Sequence, residues 1–321
     1  MDNISFFKIN YNSLDKEIFK KFKFESGKLI SEYYQEYYAG KFIDLTFGIL
    51  FNNEVVGYVS CCVLDGRLCF PNNGVSIELF LEDSIEITKI YNLIIEHITL
   101  LARQYSCNEI IIQDNLINDG LSDLGNVLFN KKYHSNITYE MLIDYKNFDE
   151  ISYRQKLRKS YKSLINWGKK NLEIILINTN NLSLEKFLTF KDFHLKIAGK
   201  KTRSDDSWNI QYKMIEQGFG ELALAYLKKE LIAGSLLIDQ NDVSIYFTGV
   251  YERELFEFGV SHYLLYQGIC RSYERKNTSK FSLGYFDTNI KDPKWYNIQF
   301  FKKGFCERLV PTILWSKEIS N

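Results

Sequence analysis

Lys302 stands in the turn FKKGF (301–305), which has a counterpart in FNKKY (129–133). Aligned, Phe129 matches Phe301, Lys131 matches Lys303 and Tyr133 matches Phe305, while the partner of Lys302 is Asn130. The turn therefore does not require a cation at this position. An ammonium there can neutralise a substrate phosphate or an oxyanion, or it can be a solvated turn lysine. Thr202, Arg203 and Ser204 form a polar loop after a helix that ends at Gly199. The planar fork of Arg203 suits a carboxylate or phosphate ligand, with Asp205 and Asp206 as alternative partners. Tyr246 and Gly249 lie in SIYFTGVY, where a hydroxyl can bond an acceptor and a glycine permits close backbone approach. Core packing accounts for Tyr246 equally well. Ser261 and His262 fall in the first turn of the next helix, where backbone donors are free. His262 can serve as a base near neutral pH or as a structural side chain. Asp287, with Tyr285, follows the strand KFSLGYF and can accept a proton from an attacking amine or cap the turn DTNIKDP.

The elements that carry these residues occur twice. LFNNEVVG (50–57) and LKKELIAG (227–234) each read as strand, polar turn and strand, with Gly57 set against Gly234. Ile87, Ile90, Tyr91, Ile94, Ile98 and Leu101 recur at helical spacing behind a Ser84 cap. NEIIIQ follows as a strand, LSDLGNVLF as a short helix and HSNITYEMLID as a closing strand. The second half repeats the order: strands in 222–250, a helix over about 252–274, the strand KFSLGYF, a helical turn and the strand RLVPTILW. A repeat this long predicts a duplicated domain, with lobes at 1–150 and 151–321, rather than a solenoid. Between them YRQKLRKSYKSLINWGKKN (153–171) reads as one basic helix, able to hold tRNA or a nucleotide-sugar phosphate or simply to be solvated. SLEKFLTFKDFHLKIAG reads as a further helix before the loop KKTRSDDSW.

Hydrophobic residues at 45% and charged residues at 25% describe a globular chain with room for two cores. Lys plus Arg and Asp plus Glu are both 40, so no global field draws DNA or an anionic membrane. No apolar run approaches the ~20 residues of a membrane span, and the first residues lack the pattern of a signal peptide, which predicts a cytoplasmic protein. The six cysteines include no C-x-x-C pair and suit a reducing compartment. Four scattered histidines predict no metal site.

The closing x-K-x-G-F turn, the basic stretch LRKSYKSLINWGKK, the segment HLKIAGKKTRSDDSW and the run NIQFFKKGF together resemble the Fem-type branch of the GNAT acyltransferases. With GSLLI, YFTGVY and SHYLLYQGI the resemblance spans roughly 150–315, and the first lobe follows it in element order alone. It implies a mixed α/β fold of two tandem GNAT-like lobes and an N-acyltransferase acting on the amine of a small anionic or nucleotide-linked acceptor in cell-wall or surface-glycan metabolism. Under it Lys302, Asp287 and His262 serve the chemistry, and Thr202, Arg203, Ser204, Tyr246 and Tyr285 serve the acceptor. Gly249, Gly259, Val260 and Ser261 serve the donor. The family's phosphate loop, Q/R-x-x-G-x-G/A, is represented by Phe256 to Ser261, which keeps Gly259 but opens with Phe. Acyl-CoA is the expected co-substrate, with no tightly bound cofactor. The alternatives are aminoacyl-tRNA as donor to a peptidoglycan precursor, and a non-catalytic ligand-binding module.

Overall fold

The structure, a computed structural model, describes residues 3–9, 24–71, 74–81, 87–117 and 120–319. Ser84, expected to cap a helix, lies outside them, as do Glu82, Asp83 and Glu86. Along the chain the first elements are β1 (Ile4–Lys8), α1 (Phe24–Tyr37), β2 (Phe42–Asp44), β3 (Phe47–Phe51), β4 (Glu54–Ser60), β5 (Cys62–Leu64), β6 (Arg67–Cys69), β7 (Ser76–Leu79), α2 (Ile87–Gln104), β8 (Glu109–Asn115), α3 (Asp123–Asn130) and β9 (His134–Asp144). Next come α4 (Glu150–Lys156), α5 (Lys159–Asn171), β10 (Glu173–Ile177), α6 (Leu184–Ala198), α7 (Asp205–Glu216), β11 (Gly220–Leu227), β12 (Glu230–Gln240) and β13 (Val243–Tyr251). A 3-10 segment (Arg253–Phe258), α8 (Val260–Arg275), β14 (Lys280–Phe286), α9 (Pro293–Lys303) and β15 (Arg308–Glu318) complete the order.

Two compact units result, and they are not consecutive in sequence. One comprises Met1–Phe24, Tyr34–Tyr139 and Pro311–Asn321, the other Glu25–Tyr33 and Glu140–Val310. In the first, β1, β3, β4 and β7 form an antiparallel sheet. A second set of strands runs β2, β5, β6 and β8, with β8 paired to residues 312–318. Ile90, Ile94, Ile95, Ile98 and Ala102 turn one face of α2 into this unit's core, as the spacing of the isoleucines predicts.

In the second unit β10, β11, β12 and β13 pair antiparallel in order, and β14 joins β13 in parallel. Helix α8 lies at the centre of the unit's core with Tyr153, Tyr161, Phe281 and Phe305. The two hairpins expected from the sequence are present. Asn52 and Asn53 turn the first with φ of 48° and 69°, and Lys228 and Lys229 turn the second with 50° and 72°. Both residues of each turn are left-handed, the geometry that suits the twist of a two-residue hairpin.

Each hairpin also carries one bulge at the same distance from its turn. Ile49 pairs with Gly57 and Leu50 with Val55, just as Ala225 pairs with Ala233 and Tyr226 with Leu231. Gly57 therefore corresponds to Ala233, not to Gly234. The two glycines answer different neighbours: a Cβ on Gly57 would overlap the Glu78 carbonyl, and one on Gly234 the Phe190 ring.

Two other expectations change. The basic segment forms two helices, because Leu157 and Arg158 are extended, with ψ of 151° and 142°. The Tyr153 and Tyr161 rings on either side of the break both reach the same core. The helix expected from 252 likewise divides at Gly259 into the 3-10 segment and α8. Among the described residues no helix is long and apolar enough to cross a membrane.

Candidate active site

In the second unit β13 and β14 are paired only from Val243 to Ile245 against Lys280 to Ser282. Beyond that the two strands no longer bond to each other, which leaves Tyr246–Tyr251 and Leu283–Phe286 as the walls of a mouth. A bulge at Phe247 in β13 re-aims the side chains on this wall: Thr248 pairs with Leu236 and Tyr246 with Leu237.

Lys302, near the end of α9, enters this mouth. Its Nζ lies 5.4 Å from the centre of the Tyr246 ring, and a Cβ on Gly284 would be 3.9 Å from it. Burial lowers its pKa to about 8, and among the described residues no carboxylate or hydrogen-bond acceptor pairs with it. An ammonium held against apolar surroundings without a counterion is costly for the fold and available to a ligand. Lys303 lies instead over the Phe286 ring at the end of that wall, its Nζ 4.9 Å from the ring centre.

Two tyrosines hold the turn that presents Lys302. The Tyr161 hydroxyl donates to the carbonyl of Phe301 at 3.0 Å, and the Tyr153 hydroxyl to that of Phe305 at 2.8 Å. They come from α5 and α4, along which Lys156, Lys159, Lys169 and Lys170 are exposed, while Arg158 in the break between them lies over the Phe300 ring at 4.5 Å. The sequence names both tyrosines only as aromatics within a basic segment. Their carbonyl partners lie 140 and 152 residues away in the sequence, so the tether is visible only in the structure.

His262 packs inside the same aromatic layer. Its ring meets Tyr161 edge-on at 4.4 Å and Phe301 at 4.9 Å, and its Nδ1 is buried without a partner. Desolvation pushes its pKa down to about 4, so the ring is neutral at pH 7 and a weak base.

Arg203 lies at the junction of four segments. Its Nε donates to the Tyr33 hydroxyl at 3.1 Å, Nη1 meets His194 Nε2 at 2.8 Å and Nη2 donates to Thr248 Oγ1 at 3.3 Å. The guanidinium also covers the Trp208 ring at 5.1 Å. Tyr33 comes from α1, whose Leu29, Ile30, Tyr33 and Tyr37 recur at helical spacing although this helix is not among the expected elements. Desolvation and the Arg203 charge together lower His194 to about 4. Thr202 is exposed, whereas Ser204 caps α7 by accepting from the Ser207 N–H at 3.0 Å. The expected loop therefore ends at Ser204, and Asp205 begins a helix. Hydrogen bonds from Lys191 and Lys201 lower Asp205 to about 2.

The remaining candidates divide between the mouth and its rim. Tyr246 and Tyr251 share a hydrogen bond between their hydroxyls, and burial raises the pKa of both. Gly249 is exposed, and any Cβ there would overlap the Tyr246 hydroxyl. Tyr285 is half-buried on the unpaired part of β14. Asp287 is exposed at the end of that strand and accepts from the Asn289 N–H at 2.8 Å. At the start of α8, Gly259 has φ of 81°, Val260 is fully buried and Ser261 is 9% exposed. A Cβ on Gly259 would overlap Leu164 of α5, so packing alone explains this glycine. Of Val260 only the backbone N–H remains for a ligand.

No protein-family model matches the chain, and no curated protein matches it by sequence. Solved structures do. FemX superposes with a TM-score of 0.64 at 13% identity, over 96% of both chains. A tandem GNAT protein from the clavulanic acid biosynthesis pathway gives 0.54 at 11% identity, over 99% of this chain and 100% of the other. L-PGS from Bacillus licheniformis gives 0.55 at 13% identity over 90% of each. The chain thus has the mixed α/β fold of tandem GNAT proteins. More narrowly, its double-GNAT architecture is Fem-like, in agreement with the motifs of its second half.

Proposed function

We propose that this chain is an N-acyltransferase that moves an acyl group from an activated thioester or ester donor to the amine of a small, anionic or nucleotide-linked acceptor in cell-wall or surface-glycan metabolism. The observation that carries the reading is Lys302, an unpaired ammonium in the mouth between β13 and β14 of a tandem-GNAT fold. An uncharged acceptor amine attacks the donor carbonyl, a C–N bond forms, the C–S or C–O bond to the leaving group breaks, and the proton shed by the nitrogen passes to the departing thiolate or alkoxide. Lys302, cationic for the most part at pH 7 with its pKa at about 8, offsets the negative charge on the tetrahedral oxygen or on a substrate phosphate. Holding both reactants in line supplies several kcal/mol more without a covalent enzyme intermediate. Tyr246 and Tyr285 line the acceptor side, and the N–H groups at the start of α8 face the donor. Arg203 acts by holding α1, α6, α7 and β13 together around that wall. Acyl-CoA is the first donor to test, and the cytoplasm the expected location.

Aminoacyl-tRNA remains a second donor, favoured by the exposed cations of α4 and α5. Thermal-shift titration of the full chain with acetyl-CoA, CoA and aminoacyl-tRNA separates the two, since a ligand at 100 times its dissociation constant adds ~2.7 kcal/mol to native stability. Turnover of the donor found, compared between the parent and Lys302→Met, tests the chemistry. A parent that binds neither donor, or a variant that turns over like the parent, sinks the proposal.

A further inference from the structure

The first unit contains a pocket of about 450 Å³ that the transfer chemistry above does not use. It lies between the last turns of α2 and the chain that joins α3 to β9, with Lys317 of β15 on one side. Its floor is apolar: Ile95, the face of Leu100 and the ring of Tyr133. Three cations, Lys131, Lys317 and Arg103, converge on it against one carboxylate, Glu96.

The charges are held unequally. Lys131 bridges to Glu96 at 3.4 Å, which leaves that acid engaged. Lys317 donates to the carbonyl of Lys131 at 2.9 Å and lies 5.2 Å from the centre of the Tyr133 ring, so its ammonium is fixed by neutral groups and meets no carboxylate among the described residues. Arg103 is exposed at the rim and also has no acidic partner among them. Tyr133 is 5% exposed, and its hydroxyl lies beside that of Thr99. The neighbouring Thr99 hydroxyl already donates to the Ile95 carbonyl at 2.7 Å. A cation fixed without a carboxylate and an apolar floor are two separate features that one class of ligand satisfies together.

We propose that this pocket binds a small organic anion, a carboxylate or phosphate on a compact apolar body, with Lys317 holding the charge and Leu100 and Tyr133 covering the body. The site is independent of the transferase reading, because every residue in it belongs to the first unit. Phenyl phosphate and benzoate are suitable probes, with inorganic phosphate and benzyl alcohol as the single-feature controls. Binding to the full chain is read by titration in amide-resolved NMR.

The expected result is saturable binding of an organic anion, with shifts centred on Thr99, Lys131, Tyr133 and Lys317, tighter than either control. Lys317→Met weakens it about tenfold, the scale of one charge-assisted hydrogen bond, while Lys169→Met in the other unit leaves it unchanged. Leu100→Glu, at a position 61% exposed and so safe for folding, places a carboxylate at the pocket and abolishes binding. Phenyl phosphate binding means the phosphate head is accepted, and benzoate binding means the carboxylate is. Absence of saturation by both, inorganic phosphate binding as tightly as phenyl phosphate, or indifference to Leu100→Glu overturns the proposal.

Discussion

The Tyr161 hydroxyl donates to the Phe301 carbonyl at 3.0 Å, one residue before Lys302. Because Tyr161 belongs to α5 and Phe301 to α9, this bond sets where the last turn of α9 ends and hence where the ammonium lies. Tyr161→Phe keeps the ring and removes the bond. We expect a stability loss of about 0.5–1.5 kcal/mol, measured by denaturant unfolding, and a fall in kcat of about tenfold with KM little changed. A variant as fast as the parent means that the tether does not position Lys302.

Lys302→Met tests the cost of the unpaired charge. Its folded pKa of about 8 lies below the ordinary lysine value of about 10.5, so the folded state disfavours protonation. The parent therefore loses stability as pH falls from about 10.5 through 8, and below that the deficit is constant. The variant lacks this loss and should match or exceed the parent by about 1 kcal/mol at pH 7, after allowance for partial solvent access. Lys303→Met should leave both stability and rate close to those of the parent. A clear loss of stability in Lys302→Met means that the ammonium has an internal role.

The two depressed histidines act in acid. His194 and His262 both titrate at about 4 in the folded protein and near 6.5 when unfolded. Their contribution is complete above pH 6.5 and is lost as pH falls toward 4, because the unfolded chain binds protons first. His262→Phe, which keeps an aromatic ring in the layer, should flatten this loss by on the order of 1 kcal/mol between pH 6.5 and 4. Parallel stability curves for parent and variant contradict the burial assigned to this ring.

Substitution at Gly259 affects folding before it affects any ligand. The residue has a left-handed φ of 81°, and a Cβ would overlap Leu164. Gly259→Ala should therefore cost on the order of 2 kcal/mol, seen as a lower melting temperature, and Gly259→Leu more. Loss of donor binding in either variant thus needs a stability control. A melting temperature unchanged in Gly259→Ala shows that α5 does not press on this start of α8.

Much of the fold was legible because its signals are local. Turn pairs such as Asn52–Asn53 and the isoleucine spacing of α2 act over a few residues. The alignment of Tyr133 with Phe305 reflects a shared requirement, since both rings are buried behind their helices. The pairing of Gly57 with Gly234 misled, because the identity of a small residue depends on which neighbour crosses it. The continuous basic helix misled as well, since its cations recur on both sides of Leu157 while its backbone turns there. Helix α1 was not among the expected elements despite the helical spacing of Leu29, Tyr33 and Tyr37, and Tyr33 from it meets Arg203.

The sequence by itself determined that the chain carries two similar α/β units and that the second has a cation where the first has Asn130. Both follow from residue types and spacing, which act through backbone geometry and side-chain periodicity within each segment. The tertiary structure decided what that cation is. Lys302 becomes an unpaired, partly desolvated ammonium because Tyr246 stands below it and Tyr161, far away in the chain, holds the carbonyl of the residue before it. For Arg203 the sequence offers a carboxylate or phosphate ligand, or Asp205 and Asp206, and the fold sets Tyr33, His194 and Thr248 around its three nitrogens. Desolvation and hydrogen bonding depend on which groups meet in space, and residue spacing carries no record of partners so distant along the chain.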